Sequence, residues 1–189
     1  MAGCRSLNEN EITLVKNNLD ILRNKVMFIL GVKSGFRITE LLSLCIKDVS
    51  TDGISNDRVK VSRKSMKGKT SSREVLLHNE AKQVVKEYLD TLGFYSPNDP
   101  LFKSRQGENK PITRNQAWLI LKEAYKEAGI QGSTGTHSAR KSFARNVYEA
   151  SGHDLALTQK AIGHSSVTTT IKYLDIKQDE VDDIIRKLK

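Results

Sequence analysis

Four side chains in the C-terminal part of the chain have types and spacings that suit phosphate chemistry. His137 and Arg140 are three residues apart, so the period of a helix would place them on one face. A guanidinium and an imidazole held side by side can both hydrogen-bond the non-bridging oxygens of a phosphate. Tyr173 follows His164 by nine residues. A tyrosine hydroxyl can attack phosphorus and form a covalent ester.

A second stretch far upstream places one arginine between two apolar segments. Arg37 lies in the run SGFRITELLSL, residues 34–44, after one predicted helix and before the next. A helix N-terminus already carries positive partial charge, so an arginine there is electrostatically unfavourable unless an anion lies nearby. Arg37 is therefore a second candidate for phosphate binding, and an ordinary surface arginine is the alternative.

None of these patterns is specific by itself. An H-x-x-R pair is common, and a single histidine or tyrosine is most often a packing or surface residue. Tyr88, Tyr125 and Tyr148 lie at helical spacings beside other apolar residues, which favours packing. Tyr173 differs because it follows Gly-His-Ser-Ser and a run of threonines, so it is the strongest candidate nucleophile.

Taken together and in order, the motifs resemble those of the tyrosine recombinase family, which includes phage and mobile-element integrases. The first box of the family, T-G-x-R-x-S-E-L, is similar to the run from Ser34 to Leu41, SGFRITEL. The second box is H-x-x-R followed by G-H and then Y, and it is met by His137, Arg140, Gly163-His164 and Tyr173. The resemblance extends over residues 7–189.

The resemblance implies a fold and a reaction. The fold is a mainly α-helical catalytic domain with a small antiparallel β-sheet or hairpin. Tyr173 would attack a DNA phosphodiester and form a 3′-phosphotyrosyl intermediate, and a partner strand would then rejoin the backbone. Arg37 and Arg140 would hold the non-bridging oxygens, with support from His164, and His137 would accept the tyrosine proton or bond the phosphate. Neither a cofactor nor a metal ion is expected.

A basic run between two alternating segments predicts a hairpin that reaches DNA. Residues 58–63 and 72–77 are predicted strands, joined by a tip over residues 65–71. In the family this hairpin carries the catalytic lysine. The family pattern K-T-x-x-S-x-R-x-V-P-L, aligned back from Arg73, selects Lys67, and a shift in the loop selects Lys69 instead. The further candidate DNA-binding residues are basic: Arg63, Lys64, Lys69, Arg73 and Lys141.

The composition narrows the class of protein. A formal net charge of +9 favours a polyanionic partner, although a ribosomal or membrane-surface protein would fit as well. Cys4 and Cys45 are too few and too far apart for a zinc site or a disulfide framework. The apolar run 26–32 is too short to span a bilayer, and no signal peptide opens the chain. A cytoplasmic protein is expected.

Domains, partners and alternatives follow from these observations. We expect residues 7–189 to form the catalytic domain and residues 1–6 to be a remnant or linker, with the N-terminal core-binding domain of the family absent. Double-stranded DNA is the expected partner, and the resemblance implies a homo-oligomer, a tetramer, on recombination sites. A type IB topoisomerase-like enzyme and a non-catalytic DNA-binding module are the alternatives. An RNA-binding protein is disfavoured, because aromatic residues make up only 6% of the chain.

Apolar periodicity and turn signals predict the remaining elements. Helices are predicted over 7–23, 25–33, 38–45, 79–92, 113–128, 137–150, 154–162 and 178–189. Tyr173 is predicted to lie on a further helix, which the β-branched run 167–170 weakens. Residues 93–111 are predicted to be loop. Thr39, Asn79 and Thr136 are predicted N-caps, and Trp118 is predicted to face inward.

Overall fold

The computed structural model describes residues 3–61, 73–174, 176 and 178–188. Its helices are α1 (Glu9–Asn17), α2 (Leu22–Ser34), α3 (Ile38–Leu41), α4 (Ile46–Val49), α5 (Asn79–Asp90), α6 (Arg114–Glu127), α7 (Thr136–Ala150), α8 (Leu155–Ile162), α9 (Val167–Leu174) and α10 (Gln178–Arg186). Its strands are β1 (Ser50–Thr51), β2 (Ile54–Ser55), β3 (Arg58–Val61) and β4 (Arg73–Leu76). The predicted class, mainly helical with a small antiparallel sheet, is confirmed.

The chain divides into two compact units, Met1–Phe143 and Ala144–Lys189. The first unit contains α1 to α6, the four strands named above and the first turns of α7. The second contains the rest of α7 together with α8, α9 and α10. Arg37, His137 and Arg140 therefore belong to the first unit, whereas His164 and Tyr173 belong to the second.

The centre of the first unit is α2, as its continuous apolar run predicts. Residues 26–32 are buried, and the helix packs against α5. Burying a large apolar side chain contributes about 1.5–3 kcal/mol, so this helix anchors the unit. At Gly31 an added Cβ would lie only 2.9 Å from the Cβ of Ala139. The absence of a side chain at Gly31 therefore lets α2 lie directly against the first turns of α7.

The predicted hairpin is confirmed where the structure describes it. β3 and β4 pair antiparallel, from Arg58 opposite Leu76 to Val61 opposite Arg73. The predicted tip, residues 65–71, lies outside the described residues. A second pair, β1 with β2, was not predicted. Its turn is Asp52-Gly53, with φ of 50° and 80°, and Asp-Gly is a recognised hairpin signal.

The first predicted helix, 7–23, is wrong in length. The Asn8 and Glu11 capping box forms as the sequence indicates, but α1 ends at Asn17 and α2 begins only at Leu22. The Asn18 side chain donates a hydrogen bond to the carbonyl of Leu14, which also accepts the backbone N–H of Asn18. Asparagine has a low helix propensity because its side chain forms such local bonds with the backbone, and α1 ends at the pair Asn17 and Asn18.

The predicted helix 38–45 is also wrong, because two single-turn helices replace it. α3 ends at Leu41, and α4 starts after Cys45, whose backbone N–H donates to the carboxylate of Asp48. Thr39 is not the N-cap of α3. Arg37 holds that position, and its backbone N–H donates to Glu40. Acidic side chains three residues into each turn thus restart the helix twice.

Three smaller predictions also differ from the structure. The cap of α5 is His78, whose ring nitrogen accepts the N–H of Glu80, rather than Asn79. Thr136 is the first residue of α7 rather than its cap. Trp118 is 39% exposed instead of facing inward, and the ammonium of Lys122 lies 4.9 Å from its ring centre. The apolar ring of Trp118 is covered by this cation instead of by the core.

The helices of the second unit follow the predictions closely. Asp154 caps α8 by accepting the N–H groups of Ala156 and Leu157, and Gly163 ends it in the left-handed conformation. On α10, Val181 and Ile185 are exposed. Within the part of the chain that the structure describes, no helix combines the length and the apolar character that a membrane span needs.

Candidate active site

Arg37 lies at a sharp corner that glycine makes possible. α2 ends at Gly35, whose φ of 63° is favourable for glycine and strained for other residues. A Cβ at this position would also lie 2.2 Å from the ring of Phe143. Gly35 is therefore required both for its backbone angle and for the space it leaves. The chain then turns back at once, and Arg37 projects from the start of α3.

Glu40 holds Arg37 in place. One carboxylate oxygen of Glu40 accepts a guanidinium N–H of Arg37 at 2.7 Å, and the other accepts its backbone N–H at 2.8 Å. Burial alone would raise the pKa of Glu40, but the charge of Arg73 and the hydrogen bonds from Arg37 and Arg73 together lower it. Glu40 is thus a buried, ionised acceptor that fixes the orientation of Arg37. The sequence prediction gave it no role.

Arg73 faces the same carboxylate from the hairpin. Its Nη2 lies 2.9 Å from Glu40 Oε2 and 3.3 Å from the carbonyl oxygen of Gly35. The guanidinium carbon lies 5.8 Å from the ring centre of Phe36, and only 12% of the side chain is exposed. Arg73 was predicted from sequence to contact DNA, and that remains a prediction. Its observed contacts point into the first unit.

His137 and Arg140 both lie in the first turns of α7, as predicted. Arg140 is 1% exposed, and its guanidinium donates a hydrogen bond to the carbonyl oxygen of Gly35. His137 is exposed in part, and its pKa is lowered by partial burial and then by the charges of Arg140, Arg114, Arg37 and Lys141, in that order. The neutral ring is therefore favoured near neutral pH, because partial burial and the four neighbouring cations both oppose a positive charge on His137.

Arg114 is a member of this cation group that the sequence prediction missed. It is the first residue of α6 and is exposed to solvent. An arginine at a helix N-terminus has the same electrostatic disadvantage that singled out Arg37. That signal was present in the sequence and was applied to one position only.

The turn before α7 is fixed by hydrogen bonds from three directions. Tyr125, on α6, donates its hydroxyl to the carbonyl of Gly135 at 3.3 Å. The N–H of Gly135 donates to the hydroxyl of Ser138, which lies one turn into the helix. The guanidinium of Arg5 donates to the carbonyl of Gln131 and also pairs with Glu11. Arg5, predicted to belong to a remnant or linker, thus supports the segment that leads to His137.

The second unit places His164 against Tyr173. The ring centres are 4.7 Å apart, and the planes meet at 80°, an edge-to-face contact. His164 follows Gly163, and its Nδ1 lies 3.3 Å from the hydroxyl of Thr170, which is fully buried one turn before the tyrosine. The side chain of Gln159 also donates to the His164 carbonyl. The histidine is held from both sides, and its ring limits the positions open to the tyrosine ring.

Several predicted site residues cannot be placed. Arg63, Lys64, Lys67 and Lys69 lie outside the described residues. Lys141 is 9% exposed, so little of it faces solvent. Among the residues that the structure describes, His, Cys, Asp and Glu side chains form no group of three that could hold a metal ion.

A sequence model of the phage integrase family matches residues 5–180 of this chain. The chain belongs to the phage integrase family. Its relatives include the probable integrase/recombinase YoeC of Bacillus subtilis, 34% identical over 157 residues, which cover 83% of this chain and 80% of YoeC. The tyrosine recombinase XerD of Corynebacterium glutamicum is 33% identical over 168 residues, which cover 87% of this chain and 52% of XerD. This integrase-family chain therefore spans about half the length of XerD.

Solved structures confirm the fold of this phage integrase family member. The crystal structure of XerA recombinase superimposes with a TM-score of 0.79 at 24% identity, covering 100% of this chain and 67% of XerA. The XerH site-specific recombinase, bound to its palindromic difH substrate after cleavage, gives a TM-score of 0.75 at 26% identity. That match covers 97% of this chain and 53% of XerH. The predicted tyrosine recombinase catalytic-domain fold is thus confirmed.

Proposed function

We propose that this chain cleaves and rejoins double-stranded DNA as a site-specific recombinase, through a tyrosyl phosphodiester. The observation that carries the proposal is the set of cations at one corner of the first unit, where hydrogen bonds through Glu40, Arg73 and the Gly35 carbonyl link Arg37 to Arg140, and His137 lies one turn from Arg140 on α7. Such a set matches the charge of a phosphodiester in its transition state. Membership of the phage integrase family supports the same reaction.

The proposed reaction conserves phosphodiester bonds. The hydroxyl oxygen of Tyr173 loses its proton and attacks phosphorus, and the bond from phosphorus to the 5′ oxygen breaks. The bonding electrons leave with the 5′ oxygen, which takes up a proton and becomes a free hydroxyl. The 5′-hydroxyl of a partner strand then attacks the 3′-phosphotyrosyl bond and releases the tyrosine. Because each step exchanges one ester for another, the reaction consumes no nucleotide triphosphate.

Each unit supplies part of this chemistry. From the first, Arg37 and Arg140 would contact the non-bridging oxygens, whose charge grows in the transition state. His137 would accept the tyrosine proton, a role that its lowered pKa supports, since the neutral ring is the form that accepts. From the second, His164 would orient Tyr173 through the edge-to-face contact and support the same oxygens.

The leaving 5′ oxygen needs a proton donor, and we propose Lys67 for that role. The conjugate acid of an alkoxide has a very high pKa, so the oxygen must gain a proton as the bond breaks. Lys69 is the alternative if the loop alignment is shifted. The remaining basic residues, Arg63, Lys64, Lys141 and Arg114, are proposed to contact neighbouring phosphates, which would make binding dependent on salt.

We further propose that the protein acts on DNA in the cytoplasm as a homo-oligomer, a tetramer on paired sites. The recombination of two duplexes requires four strand cleavages, one for each nucleophile. The exposed Val181 and Ile185 of α10 support an association between copies, because they leave apolar surface uncovered in the single chain.

The test is covalent capture. The protein is incubated with a library of nicked duplexes of randomised sequence. Cleavage near the nick releases a short fragment that diffuses away, and without its 5′-hydroxyl the covalent intermediate cannot be resealed. We expect a DNA–protein adduct that survives denaturation, and its loss in Tyr173→Phe, which removes one hydroxyl. Tyr148→Phe is the matched control and should keep the adduct. An adduct that persists in Tyr173→Phe, or the lack of any adduct with the unaltered protein, would contradict the proposal.

A further inference from the structure

One backbone carbonyl in the first unit accepts hydrogen bonds from two arginines. The oxygen of Gly35 accepts Nη2 of Arg73 at 3.3 Å and the guanidinium of Arg140. A carbonyl oxygen has two lone pairs, so both bonds can form at once. Gly35 cannot be shifted easily, because its φ is 63° and the ring of Phe143 fills the space beside it.

One carboxylate beside that carbonyl also bonds two arginines. Glu40 accepts Arg37 at 2.7 Å through one oxygen and Arg73 at 2.9 Å through the other. Arg73 is the residue common to both acceptors. A continuous path of hydrogen bonds therefore runs from Arg140 through the Gly35 carbonyl to Arg73, and onward through Glu40 to Arg37.

The geometry at Arg73 needs a guanidinium. Its Nη2 bonds two acceptors that belong to different segments, and the plane of the group lies near the ring of Phe36. A lysine would keep the charge but has neither the fixed fork nor the flat face. The hydrogen bonds of Arg73 to Glu40 and to the Gly35 carbonyl direct its guanidinium toward the other two arginines of the corner.

We propose that Arg73 is a positioning residue that sets the separation of the two phosphate-binding arginines, Arg37 and Arg140, through Glu40 and the Gly35 carbonyl. Arg73 is also the first residue of β4 and follows Lys67 by six residues in the sequence. The same side chain thus ties the strand that follows the proposed proton donor to the arginines that hold the phosphate. This inference rests on the proposed function of Arg37 and Arg140.

The test uses inorganic phosphate as the probe and His137 as the reporter. The chain has four histidines, so the His137 imidazole signal can be assigned by NMR from its loss in His137→Gln. In the unaltered protein, we expect phosphate to raise the pKa of His137, because a bound anion offsets the cations that lower it. Half-saturation is measured for the unaltered protein, for Arg73→Lys and for Glu40→Gln.

Arg73→Lys should require at least about fivefold more phosphate, the loss expected for one misplaced charge-assisted hydrogen bond. Glu40→Gln should weaken binding as well, although it removes a negative charge that repels phosphate. Weaker phosphate binding by Glu40→Gln would indicate a positioning role, whereas a purely electrostatic role of Glu40 predicts tighter binding. Arg58→Lys is the matched control on the same hairpin, exposed at the start of β3, and should stay within about twofold. A merely structural role would lower the melting temperature of Arg73→Lys and leave the phosphate requirement unchanged.

The outcomes separate the two proposals. If phosphate shifts His137 equally in Arg73→Lys and in the unaltered protein, Arg73 does not position the arginines, and the proposed recombinase function stands. If Glu40→Gln binds phosphate more tightly, Glu40 does not help to position the arginines, and the proposed recombinase function again stands. If the unaltered protein shows no phosphate response, there is no phosphate-binding pair to position. That result would contradict both the positioning role of Arg73 and the proposed phosphate-binding role of Arg37 and Arg140.

Discussion

The arginine corner of the first unit and the tyrosine helix of the second are built in opposite ways. Arg37, Arg73 and Arg140 are largely buried and hydrogen-bonded to the carboxylate of Glu40 or to the Gly35 carbonyl. α9, which carries Tyr173, is eight residues long and begins with the β-branched run Val-Thr-Thr-Thr-Ile. Buried, mutually bonded charges keep one geometry, whereas a short helix of β-branched residues has a low intrinsic stability.

Under the proposed function, the difference indicates which of the reacting groups must be held rigidly. Groups that stabilise developing charge act best when they are already oriented, because reorientation during the reaction costs free energy. A nucleophile must be aligned only at the moment of attack, so it can lie on a less stable segment. In this chain the arginines are hydrogen-bonded to Glu40 or to the Gly35 carbonyl, whereas the proposed nucleophile, Tyr173, lies on the short helix α9 with its ring edge-to-face to His164.

The largest expected effect on the reaction rate comes from substitutions in the arginine corner of the first unit. Arg37→Lys and Arg140→Lys should each slow formation of the covalent adduct by about a hundredfold to a thousandfold at saturating DNA, because lysine loses the bidentate fork. DNA affinity should change only modestly, since many phosphates share the binding. Adduct formation is followed by denaturing gel against Arg58→Lys. Equal rates in the Arg140→Lys and Arg58→Lys variants would show that the arginine corner is not preorganised for the reaction.

A chemical substitution sharpens the distinction between holding charge and donating a proton. Lys67→Ala should cleave ordinary DNA about a hundredfold more slowly and recover most of its rate on DNA with sulfur at the scissile 5′ bridging position, because a thiolate leaves without a proton. The same substrate should not rescue Arg140→Lys, whose defect lies in charge stabilisation. Rescue of Lys69→Ala but not of Lys67→Ala would assign the role of proton donor to Lys69 instead.

The pH dependence of the free energy of unfolding tests how strongly Glu40 stabilises the arginine corner. Because the folded pKa of Glu40 is lowered, its stabilising contribution is fully present above the unfolded pKa of about 4.3 and is lost as pH falls through the folded value. Glu40→Gln should therefore lower the free energy of unfolding by about 2 kcal/mol near neutral pH and by less in acid. Urea melts across this pH range measure the difference. The exposed Glu123, paired with Lys126, gives a control in which Glu123→Gln should have little effect.

The smallest effect concerns the tyrosine helix. Thr169 is exposed on α9, and Thr169→Ala should stabilise that helix by about 0.5 kcal/mol, because alanine has the higher helix propensity. Amide hydrogen exchange in α9 should slow by about twofold as a result. Asn115→Ala, at an exposed position of α6, offers a similar gain elsewhere and should leave α9 unchanged. Exchange in α9 that is already as slow as in α2 would remove the contrast between the two regions.

Local signals in the sequence were sufficient for elements whose ends are marked. The Asn8 and Glu11 capping box, the Gly163 stop of α8 and the alternation of β3 were each predicted from a few neighbouring residues. The helix 38–45 failed because its division into α3 and α4 depends on Glu40 and Asp48 as local acceptors. Both carboxylates are visible in the sequence, but an apolar pattern gives no sign that they will cap.

The candidate site was predicted in its residues but not in its connections. Arg37, His137 and Arg140 come from motifs, whereas Arg73 was assigned to DNA because its neighbours are basic. Its pairing with Glu40, 33 residues away, depends on how β4 lies against the corner after α2. Spacing within one element cannot reveal such a contact. Long-range ion pairs are set by tertiary packing, which composition and periodicity do not encode position by position.

The contact between Gly31 and Ala139 has a consequence for positional tolerance. Where two helices meet through long side chains, rotamer changes allow their separation to vary. Here a backbone without a side chain meets a methyl group, and an added Cβ would lie 2.9 Å from it. No rotatable bond lies between the Gly31 backbone and the Ala139 methyl group, so this contact ties the position of the first turns of α7 to the α2 backbone. Productive geometry in an active site must be kept within about 0.5 Å. Two of the smallest residues in the chain thus act as a fixed spacer for His137 and Arg140.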